Sequence, residues 1–261
     1  MPWPPYDNPC LFAPQNGGSF LEHCALCRTR PLSFCAVLPP VEMQALESIA
    51  STQIVLAGST LVRQGDPRRY VYTVTAGAMR VVRLLPDGRR QVTAFALPGN
   101  YLSFSQSEYH RYDIEALTDT SLCRFNYDGM VALCTRFPHL EHKLFERACQ
   151  ELDEAREHMV LLARMNPTER LADFLLQLAA QQARCGDSGN ILTLPMPRAD
   201  IADHLGMTVE TVSRSLSTLR TRQLIALPET YRVVILDLPG LKALSISYDA
   251  REATGTNGSR R

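Results

Sequence analysis

No run of apolar residues in this chain approaches the ~18–20 that a helix needs to cross a bilayer. The opening Met1-Pro2-Trp3-Pro4-Pro5 has neither the basic nor the apolar region of a secretory signal. Net charge is missing as well. The 27 Lys and Arg balance the 27 Asp and Glu, so no global positive field advertises a nucleic-acid partner, although a locally basic module on a neutral protein fits that balance. Also absent are a nucleophile–base constellation, a phosphate-binding glycine loop and a paired-carboxylate motif, which speaks against an enzyme. A cytoplasmic protein with no membrane partner is expected, and there the eight cysteines stay reduced. Clustered thiols in such a setting point to metal, cluster or redox chemistry more than to disulfide staples.

What is present has a clear order. At 261 residues the chain can hold one large domain or two ordinary ones. The first twenty residues carry five prolines, three Asn or Gln and a Gly-Gly pair, so 1–20 is expected to be a flexible tail. The polar 249–261 segment is expected to be another. From Gln53 to Phe125 glycines fall at 58, 65, 77, 88 and 99, and between them lie the β-rich runs Tyr70–Val74, Met79–Leu85 and Gln91–Leu97. Pro86-Asp87-Gly88 is a turn by its residue types. Short strands at this spacing imply a β-sandwich or jelly roll, placed with a cysteine-bearing loop at 21–139.

From Leu140 to Met165 the pattern turns helical. Phe145, Ala148, Leu152, Ala155, Met159 and Leu162 step by three and four, the spacing of a coiled-coil seam. Such a helix either packs on its own domain or pairs across a two-fold axis, and the sequence beyond it favours the pair as a dimerisation helix over 140–165. Asn166-Pro167 ends it. Over 166–248, Leu171, Phe174, Leu175 and Leu178 mark another helix, followed by a segment running from Arg198 to Leu219. Ile201 and Leu205 face inward on the first helix of that segment, Gly206 allows a tight turn, and Thr208 can cap the second. Val212, Leu216 and Leu219 are that second helix's inner face, leaving Glu210, Ser213 and Arg214 outward near its N-terminus. Arg214 can donate two hydrogen bonds to guanine and Glu210 can accept one from cytosine N4. Thr208, Thr211 and Arg198 are further candidate DNA contacts. Leu224–Leu227, a turn at Pro228-Glu229, and Tyr231–Leu236 read as a hairpin wing.

His23-Cys24-Ala25-Leu26-Cys27, Cys35 and the distant Cys123 are the other signal. Two cysteines separated by two residues can turn both sulfurs toward one site, and the other two would complete a four-thiolate cage. Cys134, Cys149 and Cys185 have no such spacing. The same thiols would also serve a disulfide switch or a zinc site.

A strand-rich sensor, a long dimer helix and a C-terminal winged helix-turn-helix, in that order, resemble the Crp/Fnr regulator family over nearly the whole chain outside its tails. The resemblance implies an α+β fold with a jelly-roll sensor domain, a homodimer, a palindromic double-stranded DNA target with half-sites about one helical turn (~34 Å) apart, and RNA polymerase as a partner. Val209-Glu-Thr-Val-Ser-Arg214 is similar to the recognition helix of the Fnr branch, which implies that Glu210, Ser213 and Arg214 read TTGAT-type half-sites. Cyclic-nucleotide members hold their ligand with a Gly-Glu pair and an Arg-Ser or Arg-Thr pair. Between Gly99 and Asp113 this chain offers Arg111 but neither pair, so cyclic AMP is not expected. The resemblance to Fnr implies instead an oxygen-labile [4Fe-4S] cluster on Cys24, Cys27, Cys35 and Cys123, and with it control of anaerobic or microaerobic genes. The C-x2-C-x7-C spacing is that of FnrN- and FnrL-like members rather than the enteric type. Cys10 is a weaker substitute for Cys35. Where the enteric type has an acidic residue on its dimer helix, this chain has Ala155.

Overall fold

The computed structural model describes residues 24, 27, 29–102, 107–185 and 190–245. The two tails expected at 1–20 and 249–261, together with Cys10 and His23, lie outside the described residues. The chain divides into two compact units, one ending at Glu151 and the other beginning at Leu152.

In the first unit, helix α1 (Pro40–Ser48) leads into eight strands and helix α2 (Tyr127–Arg136). The strands are β1 (Ala50–Val55), β2 (Thr60–Val62), β3 (Tyr70–Ala76), β4 (Met79–Leu84), β5 (Arg90–Ala96), β6 (Tyr101–Leu102), β7 (Asp113–Ala116) and β8 (Thr120–Asn126). They form two four-stranded antiparallel sheets in the orders β1-β8-β3-β6 and β2-β7-β4-β5. Val74 and Leu122 from the first sheet meet Val62, Met79 and Ile114 from the second in one apolar core. This is the jelly roll expected from the glycine spacing. At the expected turn, the Leu85 N–H donates to Arg89 O at 2.8 Å.

Strand alternation then builds a second core on the outer face of the first sheet. On β8, Leu122 points into the roll, while Cys123 and Phe125 belong to the opposite face. There Phe125 and Val71 pack with Leu38, Met43 and Leu46 around α1, and with Met130, Leu133 and Leu140. Neither α1 nor α2 stands out in the sequence, because each is short and its apolar face has only a few residues.

The long helix α3 (Pro138–Arg164) starts in the first unit and ends in the second. Helix α4 (Pro167–Arg184) follows at once. Asn166 caps it by accepting from the N–H groups of Thr168 and Glu169, and Glu169 accepts the Asn166 N–H in return, a reciprocal capping box. Next come β9 (Ile191–Thr193), α5 (Arg198–Leu205), α6 (Val209–Thr221), β10 (Ile225–Glu229), β11 (Arg232–Ile235) and a short α7 (Leu238–Lys242). Val212, Leu216 and Leu219 are buried on α6 against α4 and α5, and each contributes about 1.5–3 kcal/mol by leaving water. The wing has three strands, in the order β10-β11-β9. Gln182 stitches β9 to α4 by donating to Thr193 O at 2.6 Å and accepting the Thr193 N–H at 3.0 Å.

One expectation is corrected here. Pro228-Glu229 is not the wing's turn. Both residues lie in β10, Glu229 pairs with Arg232, and the reversal falls at Thr230-Tyr231. The register shifts between Ala226 and Glu229, which accommodates a proline that cannot donate to the ladder.

Candidate metal centre and nucleic-acid interface

Cys24, Cys27 and Cys35 precede α1, whereas Cys123 sits in the middle of β8, between Thr52 of β1 and Thr73 of β3. Cys24, Cys35 and Cys123 pack against the same apolar cluster. Several contacts bind the segment that carries Cys35 onto the sheet. Thr29 Oγ1 donates to Thr75 O on β3 at 2.6 Å. The Phe34 ring meets Tyr101 edge to face at 5.7 Å and Phe125 at 6.1 Å. Ser33 Oγ accepts the Cys35 N–H at 3.3 Å and so caps the short 3-10 turn Phe34–Val37.

Electrostatics describe the same neighbourhood. Burial pushes the Cys24 thiol up to about 12, followed by the Glu47 carboxylate, which adds charge and a hydrogen bond, and then by Cys35 and Cys27. Cys35 is pushed up to about 11, again by burial first. Cys123 is raised by burial and then by Cys35, Cys24 and Cys27 in turn. At Cys24, Cys35 and Cys123 burial thus favours the neutral thiol over the thiolate. Among the described residues every cysteine is free, and no group of three or more His, Cys, Asp or Glu side chains forms a ready metal-ion site. Glu47 beside Cys24 is a neighbour that the sequence did not reveal, since no spacing relates a residue of α1 to one so far upstream.

Five of the six expected DNA-reading residues lie at the N-terminal end of α6 or on its cap, and Arg198 lies on α5. Thr208 Oγ1 accepts the Thr211 N–H at 3.2 Å and caps the helix. Glu210 and Arg214 are exposed one turn apart. The Glu210 carboxyl is held below the usual range by its own backbone N–H, then by the Thr208 hydroxyl, with the Arg214 charge adding to both. Ser213 is half-buried and accepts from Arg198 Nη1 of α5 at 3.4 Å, and Arg214 Nη2 lies 3.5 Å from Thr211 Oγ1. The structure thus brings all six together on one face. That face offers an acceptor, a guanidinium and hydroxyls from the first turns of a helix.

On α3 the expected seam residues lie along one stripe. Phe145, Leu152 and Met159 are 64%, 50% and 61% exposed, too much apolar surface in one line for a solvated helix face. Ala155 is exposed, and Ala148 and Leu162 are half-buried. Ion pairs Lys143–Glu146, Arg147–Glu151 and Arg156–Asp153 lie on the same helix. No helix among the described residues is long and apolar enough to cross a membrane.

Comparison with known proteins agrees with this architecture. Residues 52–137 match the cyclic nucleotide-binding domain, and residues 169–244 match the Crp-like helix-turn-helix domain. The chain is 35% identical to the nitrogen fixation regulation protein FixK of Bradyrhizobium diazoefficiens, over 78% of this chain and 86% of that protein. It is 33% identical to the transcriptional activator protein FnrL of Cereibacter sphaeroides, over 85% of this chain and 92% of that one. The solved structure of FixK2 from Bradyrhizobium japonicum superposes with a TM-score of 0.71 at 34% identity, covering 76% of this chain and 98% of that chain. Both the β-roll and the winged helix-turn-helix therefore have known counterparts, and the chain belongs to the Crp/Fnr family of dimeric, DNA-binding transcription regulators, which are not enzymes.

Proposed function

We propose that this regulator responds to oxygen through a [4Fe-4S] cluster held by Cys24, Cys27, Cys35 and Cys123, and that it controls anaerobic or microaerobic genes from the cytoplasm. The observation that carries the reading is that Cys24 and Cys35, from the segment before α1, and Cys123, from the centre of β8, pack on one apolar cluster, with Cys27 near enough to act on the Cys123 thiol. Four soft sulfur donors fit an iron–sulfur cluster in type and number. When bound, such a cluster supplies oxygen-labile iron–sulfur bonds between the N-terminal segment and the sheet. FnrL, one of the relatives, is a transcriptional activator and adds support for an activator here.

The chain's own residues do the rest. Thr29 and Phe34 hold the cysteine segment against β3, Tyr101 and Phe125. Phe145, Ala148, Leu152, Ala155, Met159 and Leu162 pair two α3 helices across a two-fold axis. Two α6 helices then enter successive major grooves, where Arg214 donates to guanine, Glu210 accepts from cytosine N4, and Ser213 completes the reading of a TTGAT-type half-site. Thr208, Thr211 and Arg198 fix the helix on the adjoining phosphates. A dimer seated on its palindrome then engages RNA polymerase.

The test is anaerobic purification with visible absorbance, iron and sulfide analysis and DNA binding, repeated after air. A brown sample that bleaches and loses DNA affinity in parallel is expected. A colourless protein that binds DNA equally in air removes the cluster and leaves a thiol- or zinc-based regulator of the same fold.

A further inference from the structure

A single guanidinium joins the end of α3, the start of α4 and the turn between α5 and α6. Arg170 Nε donates to Met165 O and Nη2 to Leu162 O, both at 2.9 Å. Its Nη1 donates to Leu205 O at 3.0 Å and approaches Gly206 O at 3.4 Å. Leu162 and Met165 lie at the C-terminal end of α3, and Leu205 and Gly206 at that of α5. Unsatisfied carbonyls give both ends partial negative charge, so a cation between them is attracted by each. A planar fork can serve several carbonyls at once, which an ammonium on a flexible stem does less well.

A second side chain reaches the same turn. His158, on α3, hydrogen-bonds through Nε2 to His204 O at 3.1 Å, and its ring stacks on the His204 ring with centroids 4.4 Å apart and planes 18° from parallel. A carbonyl only accepts, so Nε2 carries the proton. The carbonyls of residues 204, 205 and 206 are thus all held from outside α5. The turn also rests on the long helix: a Cβ added at Gly206, whose φ is +60°, would lie 3.4 Å from Leu162 Cδ2.

We propose that Arg170, seconded by His158, is a positioning residue for DNA binding that locks the helix-turn-helix to the end of the dimer helix and so fixes the separation of the two recognition helices. The inference goes beyond the reading of the half-site and rests on the seam assigned to α3. Leu162 is the last seam position. Its carbonyl is held by Arg170 and its side chain faces Gly206, so the way two α3 helices meet is passed directly to the turn that carries α6.

The experiment uses the full-length protein and the variants R170Q, R170K and H158F. Each is run through selection from a pool of random-sequence duplexes, with dimer association and thermal melting measured alongside. R170Q and R170K are expected to select the parent's half-site over a wider range of spacings. They should bind the parent's best palindrome at least about tenfold more weakly, yet a lone half-site within about threefold. H158F keeps a stacking ring without the donor and should show a smaller loss in the same direction. Unchanged spacing and affinity in R170Q would overturn the proposal. So would loss of lone half-site binding in the same proportion, or failure of both Arg170 variants to fold, since either marks a purely structural role. A parent half-site unlike TTGAT would overturn the base-reading assignment, while the spacing comparison still decides this one.

Discussion

Gly99 lies so close against Leu32 that a Cβ added to it would come within 2.7 Å of both the Leu32 Cβ and its carbonyl oxygen, and Gly99 has φ +93°. The β-roll therefore has a flattened place, open to glycine alone, where the cysteine-bearing segment lies down.

Gly99→Ala should loosen that contact. A side chain at positive φ costs about 1–2 kcal/mol before any clash with the Leu32 backbone is counted. We expect a lower melting temperature and faster protease cleavage around residues 29–38. Identical melting and cleavage would show that the segment does not depend on this approach.

The four thiols should not be interchangeable with the other cysteines. Cys24→Ser, Cys27→Ser, Cys35→Ser and Cys123→Ser are each expected to lose most of the bound iron and sulfide after anaerobic purification. Cys134→Ser, Cys149→Ser and Cys185→Ser should retain it. Retention in Cys35→Ser with loss in a Cys10→Ser variant would move the third N-terminal position to Cys10.

Replacing Arg214 by Ala should weaken binding to the preferred palindrome by about 1–3 kcal/mol per half-site and relax the base preference at one position. If Arg198 holds phosphate as proposed, replacing it should weaken binding to all sequences evenly and reduce its salt dependence. Competition binding against single-base variants of the half-site separates the two, and an even loss in Arg214→Ala would take it out of base reading.

The seam should answer to charge. Leu152→Asp puts a carboxylate where two exposed apolar residues would meet and should shift the protein toward monomer, with DNA binding falling in step. The unsubstituted protein carries Ala155 in that stripe and so lacks a repelling charge at that position. It is expected to stay dimeric without the proposed cluster and to switch by reorientation. Analytical ultracentrifugation of the cluster-free protein showing only monomers would refute this.

His110 links stability to acidity. Burial lowers its pKa from the ordinary 6.5, the Arg68 charge lowers it further, and Asp66 opposes both. The folded state thus binds fewer protons than the unfolded one between the two pKa values, and stability falls as pH drops below about 6.5. Denaturant midpoints should decline from pH 7.5 to 5.5 more steeply in the parent than in His110→Gln. Parallel declines would assign the acid sensitivity elsewhere.

Local periodicity made much of the architecture legible. The spacing of Phe145, Leu152 and Met159, the Ile201–Leu219 pattern around Gly206, and the turn at Pro86-Asp87-Gly88 each express a rule that operates within a few residues. Local chemistry also misled once: Pro228 looks like a turn residue, but the pairing of β10 with β11 places it in a strand.

Tertiary structure decided whatever depends on distant partners. Cys123 reaches the face shared with Cys24 and Cys35 because β8 is registered so that Leu122 enters the roll, and a slip of one residue would reverse them. Strand β9 exists because β11 and Gln182 satisfy its backbone. Glu47 beside Cys24 and Arg170 across two helix ends have no spacing to betray them, because both contacts depend on which helices pack together. Periodicity is encoded along the chain. The meeting of distant polar groups is set only when burial forces each of them to find a partner.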